Sequence, residues 1–253
     1  MVEQEFHAII SRLKDLAKQS EARSCYLFSP FLSLGEQDAF LREVAPALGD
    51  TWSMFGGYAG TERQMLRFGS PRDLGYAEDF PILCLRISAL NPRFAEPFTH
   101  RDILGATLHL GVDRGVIGDI VLRPEGAYVF AASHMKDFLL QELTQVKHTA
   151  VQGEVVETLP EGELFRLESK TLLVSSLRLD GLIAHAYRLS RSDAAELFRR
   201  GYVFVNGRLC SRPDRTLSPG DLVSVRHQGR FRLGETQGES RKGRLYVEIE
   251  QYV

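Results

Sequence analysis

The stretch "RLSRSDAAELFRRGYVFVNGR", residues 188–208, holds five arginines and only two carboxylates, in a chain whose totals are 31 Lys+Arg against 33 Asp+Glu. Ser190-Arg191-Ser192-Asp193 has the S-x-x-D form of a capping box. Ser190 can accept from an early helix N–H, and Asp193 can answer back while sitting at the positive end of the helix dipole. A helix of about ten residues is predicted from here, with Ala194, Ala195, Leu197 and Phe198 as its buried side, Arg199 and Arg200 in its last turn, and Gly201 as a left-handed cap. Tyr202 to Val205 then read as a short strand, and Asn206-Gly207 as a two-residue hairpin turn, because both central positions of such a turn need positive φ. Arg208 leaves on the returning strand.

The same logic extends outward in both directions. Upstream, "SLRLDGLIAHAYRL" (176–189) predicts a helix with Leu179, Leu182, Ile183 and Ala186 on its apolar side. Arg178 stands at its beginning, where the dipole prefers anions, so its partner is expected to be Asp180 or a phosphate. Downstream, "SPGDLVSVR" (218–226) turns the chain at Pro219-Gly220-Asp221 and continues as an alternating, half-buried strand. The result is two helices on a small sheet. From Lys170 onward the chain has 15 Lys+Arg and 9 Asp+Glu, leaving 16 against 24 in the remainder. A basic module on an acidic body suits a polyanionic partner; a solvated charged face is the alternative.

This arrangement resembles the S4 RNA-binding domain, over about 50 residues. The residues that carry the likeness are Arg178-Leu179-Asp180, Ser190-Arg191, Gly201, Val203, Val205-Asn206-Gly207 and Pro219-Gly220-Asp221. The resemblance implies a concave basic surface that meets structured RNA, with Arg178, Ser190, Arg191, Arg199, Arg200, Asn206 and Arg208 as the RNA-binding residues. Arginine forks match phosphate oxygens without reading a base edge, which suits recognition of RNA shape. For each arginine the competing reading is a solvated side chain, and for Asn206 a turn former.

Toward the N-terminus the pattern changes. Phe6, Ile9, Ile10, Leu13, Leu16 and Ala17 predict an amphipathic helix, a second helix is expected over Glu36 to Leu48, and "WSMFGGYAGTERQMLRF" (52–68) reads as a strand, a glycine turn and a further short element. No chemistry can be assigned to that glycine segment. From Phe80 the order is strand "PILCLRISA", helix "HRDILGATLHLGV", strands "VIGDIVLR" and "AYVFAAS", helix "HMKDFLLQELTQV" and strand "HTAVQGEVVE". That β-α-β-β-α-β order is the ferredoxin-like one, shared by RNA-recognition modules and many unrelated folds. Tyr128 and Phe130, two apart on one strand, would face one side as stacking aromatics do, although such pairs are more often core and the flanking basic residue of the usual signature is missing. "LPEGE" (159–163) marks a boundary. The expected fold class is α+β: an N-terminal α+β domain over 1–77, a ferredoxin-like (RRM-like) βαββαβ domain over 78–160, and an S4 helix-helix-hairpin domain over 169–253.

"FGGYAGTER", "FTHRDILGATLHLGVDRGVIGDI", "SLRLDGLIA", "VSVRHQGRF" and "RKGR" make nearly the whole chain similar to the YlmH family of bacterial S4-domain proteins, which has relatives among photosystem II S4 proteins. The resemblance implies a non-enzymatic factor of ribosome quality control, which binds rRNA and tRNA on a stalled large ribosomal subunit carrying peptidyl-tRNA and assists alanine tailing. One departure is His227-Gln228, where a glycine is expected near 228 in a G-x-G-R-F run. The rival reading is an adaptor, linked to cell division or photosystem assembly, whose acidic N-terminal region binds a protein partner.

Other function classes find no support. With 43% hydrophobic and 25% charged residues the composition is that of an ordinary soluble protein, and no apolar run approaches the ~20 residues of a membrane helix. The N-terminal Met-Val-Glu-Gln-Glu-Phe is acidic where a signal peptide would be basic, so a cytoplasmic location with no membrane partner is expected. Cys25, Cys84 and Cys210 lie far apart and read as reduced thiols. The histidines show no ligand spacing, so no metal is expected. "HRD" at 100–102 resembles a kinase catalytic loop but lacks every companion motif, and a helix start capped by Thr99 is the better reading. No catalytic residue and no cofactor are expected.

Overall fold

The computed structural model describes residues 2–94, 96–157 and 167–252. Two compact units result, Met1–Glu161 and Gly162–Val253. The boundary expected at 159–163 lies outside the described residues.

The first unit opens with α1 (Val2–Arg23), on which Ile10 and Leu13 are buried and Ile9, Leu16 and Ala17 partly so, as the apolar stripe predicts; the side chain of Phe6 lies outside the described residues. α2 (Leu34–Glu43) starts at a full capping box made by Ser33 and Glu36. It stops short of the expected Leu48: Pro46 has no N–H to continue the ladder, the backbone leaves helical angles at Val44 (φ -120), and 45–47 form a separate 3₁₀ turn. Strands β1 (Leu27–Phe28), β2 (Trp52–Phe55) and β3 (Met65–Phe68) form an antiparallel sheet in the order β1-β3-β2. The ring of Phe40 meets Trp52 and Phe68 edge-on, at centroid distances of 4.9 and 6.0 Å, in the small core between this sheet and the two helices. A one-turn helix, α3 (Pro71–Leu74), follows.

Next come β4 (Ile82–Ala89), α4 (His100–His109), β5 (Ile117–Arg123), β6 (Gly126–Ala132), α5 (Lys136–Glu142), β7 (Gln145–Val146) and β8 (Thr149–Val155). Their sheet order is β5-β6-β4-β8-β7, and every recorded pairing is antiparallel. Leaving aside the edge strand β7, this is the ferredoxin-like order. Periodicity carries the second helix through Val146, but α5 ends at Glu142, and 145–146 turn back on β8 through Lys147 at φ +53. Leu85, Ile87, Val129, Ala131 and Val151 face Ile103 of α4 and Leu139 of α5.

The opposite face of that sheet is covered as well. Tyr128 and Phe130 are 3% and 1% exposed, so they belong to the core and cannot act as an open stacking platform. For Phe130 the reason lies in the glycine segment 56–63, to which no chemistry could be assigned. A Cβ on Gly57, whose φ is +96, would stand 2.4 Å from Phe130, and one on Gly56 would stand 2.3 Å from the Arg63 carbonyl. Only glycines let this turn lie so close to the sheet. Arg63 then donates to the carbonyls of Phe31, Arg114 and Ile117 at 2.8, 3.0 and 2.9 Å. The Asp119 carboxylate accepts from the N–H groups of Glu62 and Arg63 at 2.6 and 3.0 Å. "FGGYAGTER" and "GVIGDI" are therefore two sides of one clasp between the N-terminal region and the ferredoxin-like sheet.

In the second unit, β9 (Leu167–Val174) leads into α6 (Leu179–Ala186) and α7 (Arg191–Arg199), followed by β10 (Val203–Val205), β11 (Arg208–Leu209), β12 (Leu222–Val225), β13 (Gly229–Glu239) and β14 (Leu245–Tyr252). The antiparallel sheet runs β11-β10-β12-β13-β14-β9. Leu179, Leu182 and Ile183 of α6, with Ala194 and Phe198 of α7, pack on Val203, Val205, Val223, Val225, Phe231, Leu233, Val247 and Ile249. This sheet is larger than the sequence suggests. Beyond Leu233 the strand reads Gly-Glu-Thr-Gln-Gly-Glu, with no apolar alternation and with register shifts after Leu233 and after Thr236, so period-2 reasoning has nothing to follow.

Candidate nucleic-acid interface

Helix α7 begins at Ser190, whose Oγ accepts from the Asp193 N–H at 3.1 Å. The reciprocal half of the predicted box is altered: the Asp193 carboxylate accepts from the Ser190 hydroxyl, at 2.6 Å, and not from its backbone. Arg191, the first helical residue, is exposed, and its side chain has no hydrogen bond or ion pair among the described residues. At the other end, Arg199 and Arg200 both reach back along the helix to Glu196, at 2.5 and 2.8 Å. The hydrogen bond from Arg200 lowers the Glu196 carboxyl below its ordinary range, and the same bond raises the Arg200 guanidinium. Gly201, at φ +66, ends the helix as predicted, and the Tyr202 N–H closes on the Leu197 carbonyl at 2.9 Å.

Arg178 caps α6 without a side-chain cap bond of its own and forks onto Asp180, with Nε and Nη2 at 3.2 and 2.7 Å from the two carboxylate oxygens. Asp180 is thus its partner in this structure, and the fork lowers the Asp180 carboxyl. Asn206 and Gly207 take φ +52 and +75, the paired positive values that the hairpin requires. The Asn206 carboxamide is engaged within the unit: Nδ2 donates to Asp221 at 2.7 Å, and Oδ1 accepts from the Leu222 N–H at 2.9 Å. It ties the Asn-Gly turn to the Pro219-Gly220-Asp221 turn, where Asp221 also accepts from the Ser218 N–H at 2.9 Å. Arg208 is exposed at the start of β11.

Tyr202 and Arg226 join the site although no motif singles them out as RNA-binding. The Arg226 guanidinium lies 5.5 Å from the centre of the Tyr202 ring, and the His227 ring meets Tyr202 edge-on at 5.4 Å. Tyr202 also interacts with Arg200. His227, within the departure from the expected glycine pattern, adopts φ +69, so the turn takes a left-handed residue at 227 with a histidine in place. The signals that could have found the pair are an aromatic just after the capping glycine and an arginine closing an alternating strand. Among the described residues, no group of three His, Cys, Asp or Glu side chains is placed to hold a metal, and no helix is long and apolar enough to cross a membrane.

Fold and site together define an S4-type unit: a helix pair on an antiparallel sheet, with a guanidinium-rich helix end followed by a strand and an Asn-Gly hairpin. The chain is similar to proteins of the YlmH family. Residues 76–159 match the family model described as "Putative RNA-binding domain in YlmH". The "Ribosome-associated protein quality control protein P2" of Bacillus subtilis (strain 168) is 31% identical over 172 residues, covering 65% of this chain and 66% of that protein. The small ribosomal subunit protein uS4 of Hyphomonas neptunium is 33% identical over 104 residues, covering 38% of this chain and 51% of its own length. The chain thus spans just under two thirds of the first relative and about half of the second. A solved structure, the cell division protein ylmH from Streptococcus pneumoniae, matches with a TM-score of 0.47 at 18% identity, over 60% of this chain and 91% of the other. Neither curated relative is named as an enzyme.

Proposed function

We propose that this chain is a non-enzymatic, cytoplasmic RNA-binding protein of the ribosome, which grips rRNA or tRNA through α7 and its neighbouring turns on a stalled large subunit carrying peptidyl-tRNA. The observation that carries the reading is the cationic cluster around α7: Arg191 at one end, Arg199 and Arg200 at the other, and Arg226 stacked on Tyr202. A partly exposed aromatic flanked by guanidinium groups meets both parts of a nucleotide, the phosphate by charge and the base by stacking. The printed names of the two curated relatives tie those proteins to the ribosome, which supports the ribosomal part of the reading.

The pairs Arg178–Asp180 and Arg199/Arg200–Glu196 fit this reading. Exposed ion pairs of this kind are weak in water, so a phosphate can replace the carboxylate at little cost while the arginine stays oriented. The test is binding of the full chain to a structured rRNA fragment, measured by fluorescence anisotropy across a salt titration. The Arg191→Glu/Arg200→Glu variant is expected to bind more weakly, with the salt slope reduced by roughly 0.7 to 0.9 for each phosphate that the protein no longer neutralises. Unchanged affinity and slope in that variant would refute the reading.

A further inference from the structure

At the far end of the second unit's sheet, β13 and β14 are joined by Ser240-Arg241-Lys242-Gly243-Arg244. This turn is closed by three hydrogen bonds: Ser240 N–H to the Arg244 carbonyl at 2.6 Å, Gly243 N–H to the Ser240 carbonyl at 2.9 Å, and Arg244 N–H to Ser240 Oγ at 3.0 Å. Gly243 supplies the left-handed residue, at φ +71. Beside the turn lies a shallow basin of about 570 Å³ lined by Leu173, Ser240, Arg241, Lys242, Arg244 and Tyr246. That volume is within the ~300–1,000 Å³ common for small-ligand sites.

The composition of the basin sets it apart from α7. Arg241, Lys242 and Arg244 are exposed, and none of them has a side-chain hydrogen bond or ion pair among the described residues. No carboxylate lines the basin; Glu239, which precedes the turn, offsets one of the three positive charges. Tyr246 is 41% exposed, and its cross-strand neighbours are Leu173 on one side and Gly238 on the other, with open space where a Cβ on Gly238 would stand. The ring therefore has an uncovered flank next to three cations and a serine. Cations that track a backbone beside an aromatic ring that can stack a base are the parts of a single-stranded nucleic-acid site.

We propose that this basin is a second RNA contact, one that takes a single-stranded nucleotide with its phosphates on Arg241, Lys242 and Arg244 and its base on Tyr246. The proposal rests on the RNA-binding reading above and extends it. β13 runs 11 residues between the Gly229 turn near Tyr202 and the basic turn, so the two sites stand about 30 Å apart at ~3.3 Å per residue. Two weak sites at that spacing on one sheet reinforce each other when one RNA reaches both.

The experiment uses the full chain, fluorescein-labelled dodecauridine and a structured rRNA fragment, in parallel salt titrations. Arg241→Gln/Lys242→Gln/Arg244→Gln is expected to lower dodecauridine affinity more than tenfold and to reduce the salt slope by about 2, three phosphates at ~0.7 each. Tyr246→Ala should weaken dodecauridine binding about tenfold while Tyr246→Phe, which keeps the stacking surface, should not. Replacing uridines with 4-thiouridine should place a photo-crosslink on the peptide containing Tyr246. Dodecauridine binding that is unaltered in the triple variant and in Tyr246→Ala overturns the basin. If structured RNA still depends on Arg191 and Arg200 in that case, the α7 reading stands alone. If the wild-type chain binds neither RNA, both fall.

Discussion

Replacing Gly57 with alanine tests the clasp that holds the first unit together. The added methyl would stand 2.4 Å from Phe130 Cδ1 and 2.9 Å from Ile82 Cγ2, where ordinary contacts begin near 3.4 Å, and Phe130 is itself buried in the sheet face. Relief requires about an ångström of movement in a packed core, which costs roughly 1–3 kcal/mol. The φ of +96 adds about 1–2 kcal/mol for a residue with a Cβ. The sum, about 2–5 kcal/mol, is a large part of the ~5–15 kcal/mol by which domains are stable, and corresponds to a fall in Tm of roughly 5–15 °C. Thermal unfolding followed by circular dichroism reads it directly. Gly49→Ala is the control: its φ is +54 but nothing lies within 4 Å of the new atom, so only the backbone part is lost. Phe130→Leu in the Gly57→Ala background should recover part of the loss, a coupling between the two sites. A Gly57→Ala variant no less stable than Gly49→Ala, or the absence of that coupling, would refute the close approach.

Asn206→Ala removes both hydrogen bonds that tie the two turns and puts a β-carbon residue at φ +52, so a loss of about 1–3 kcal/mol is expected in denaturant unfolding; Asn206→Gly, which keeps the φ, should lose less. Burial pushes the Cys84 thiol up to about 12, so in the native protein at pH 8 an aromatic disulfide reagent should label the partly exposed Cys25 well before Cys84, and equal rates would contradict the packing of β4. Asp102 is held at about 2 by hydrogen bonds from Thr99 and Lys147. Because this folded-state value lies below the unfolded one near 3.9, its stabilising effect is present above pH ~4 and is lost as pH falls toward 2. Asp102→Asn should therefore flatten the acid limb of a stability-versus-pH curve, and an unchanged limb would contradict the pairing.

The elements with strong local signals were legible in the sequence. Ser190, Gly201 and Asn206-Gly207 each perform the backbone role that their residue type predicts, because caps and tight turns depend on a few neighbouring atoms. The ferredoxin-like order was legible for the same reason: its strands and helices carry clean periodicity. What was not legible depends on contacts distant in sequence. Nothing local in "FGGYAGTER" says that Arg63 will reach the carbonyls of residues 114 and 117, or that Gly57 will press on Phe130 and so cover that ring. The β13–β14 hairpin escapes a sequence reading because its outer half is polar on both faces. At the candidate interface the positions of the arginines and Asp180 as a partner for Arg178 could be read, but the ion pairs from Arg199 and Arg200 to Glu196 became evident only with the side chains in place.

The most direct test of the central claim is co-sedimentation of the tagged full chain with large ribosomal subunits bearing peptidyl-tRNA, compared with intact ribosomes and with the Arg191→Glu/Arg200→Glu variant, at two salt concentrations. The expected result is selective binding to the peptidyl-tRNA-bearing subunits that weakens with salt and is abolished in the variant. Binding that is absent, or indifferent to both salt and mutation, would contradict it and favour a protein adaptor acting through the acidic N-terminal region.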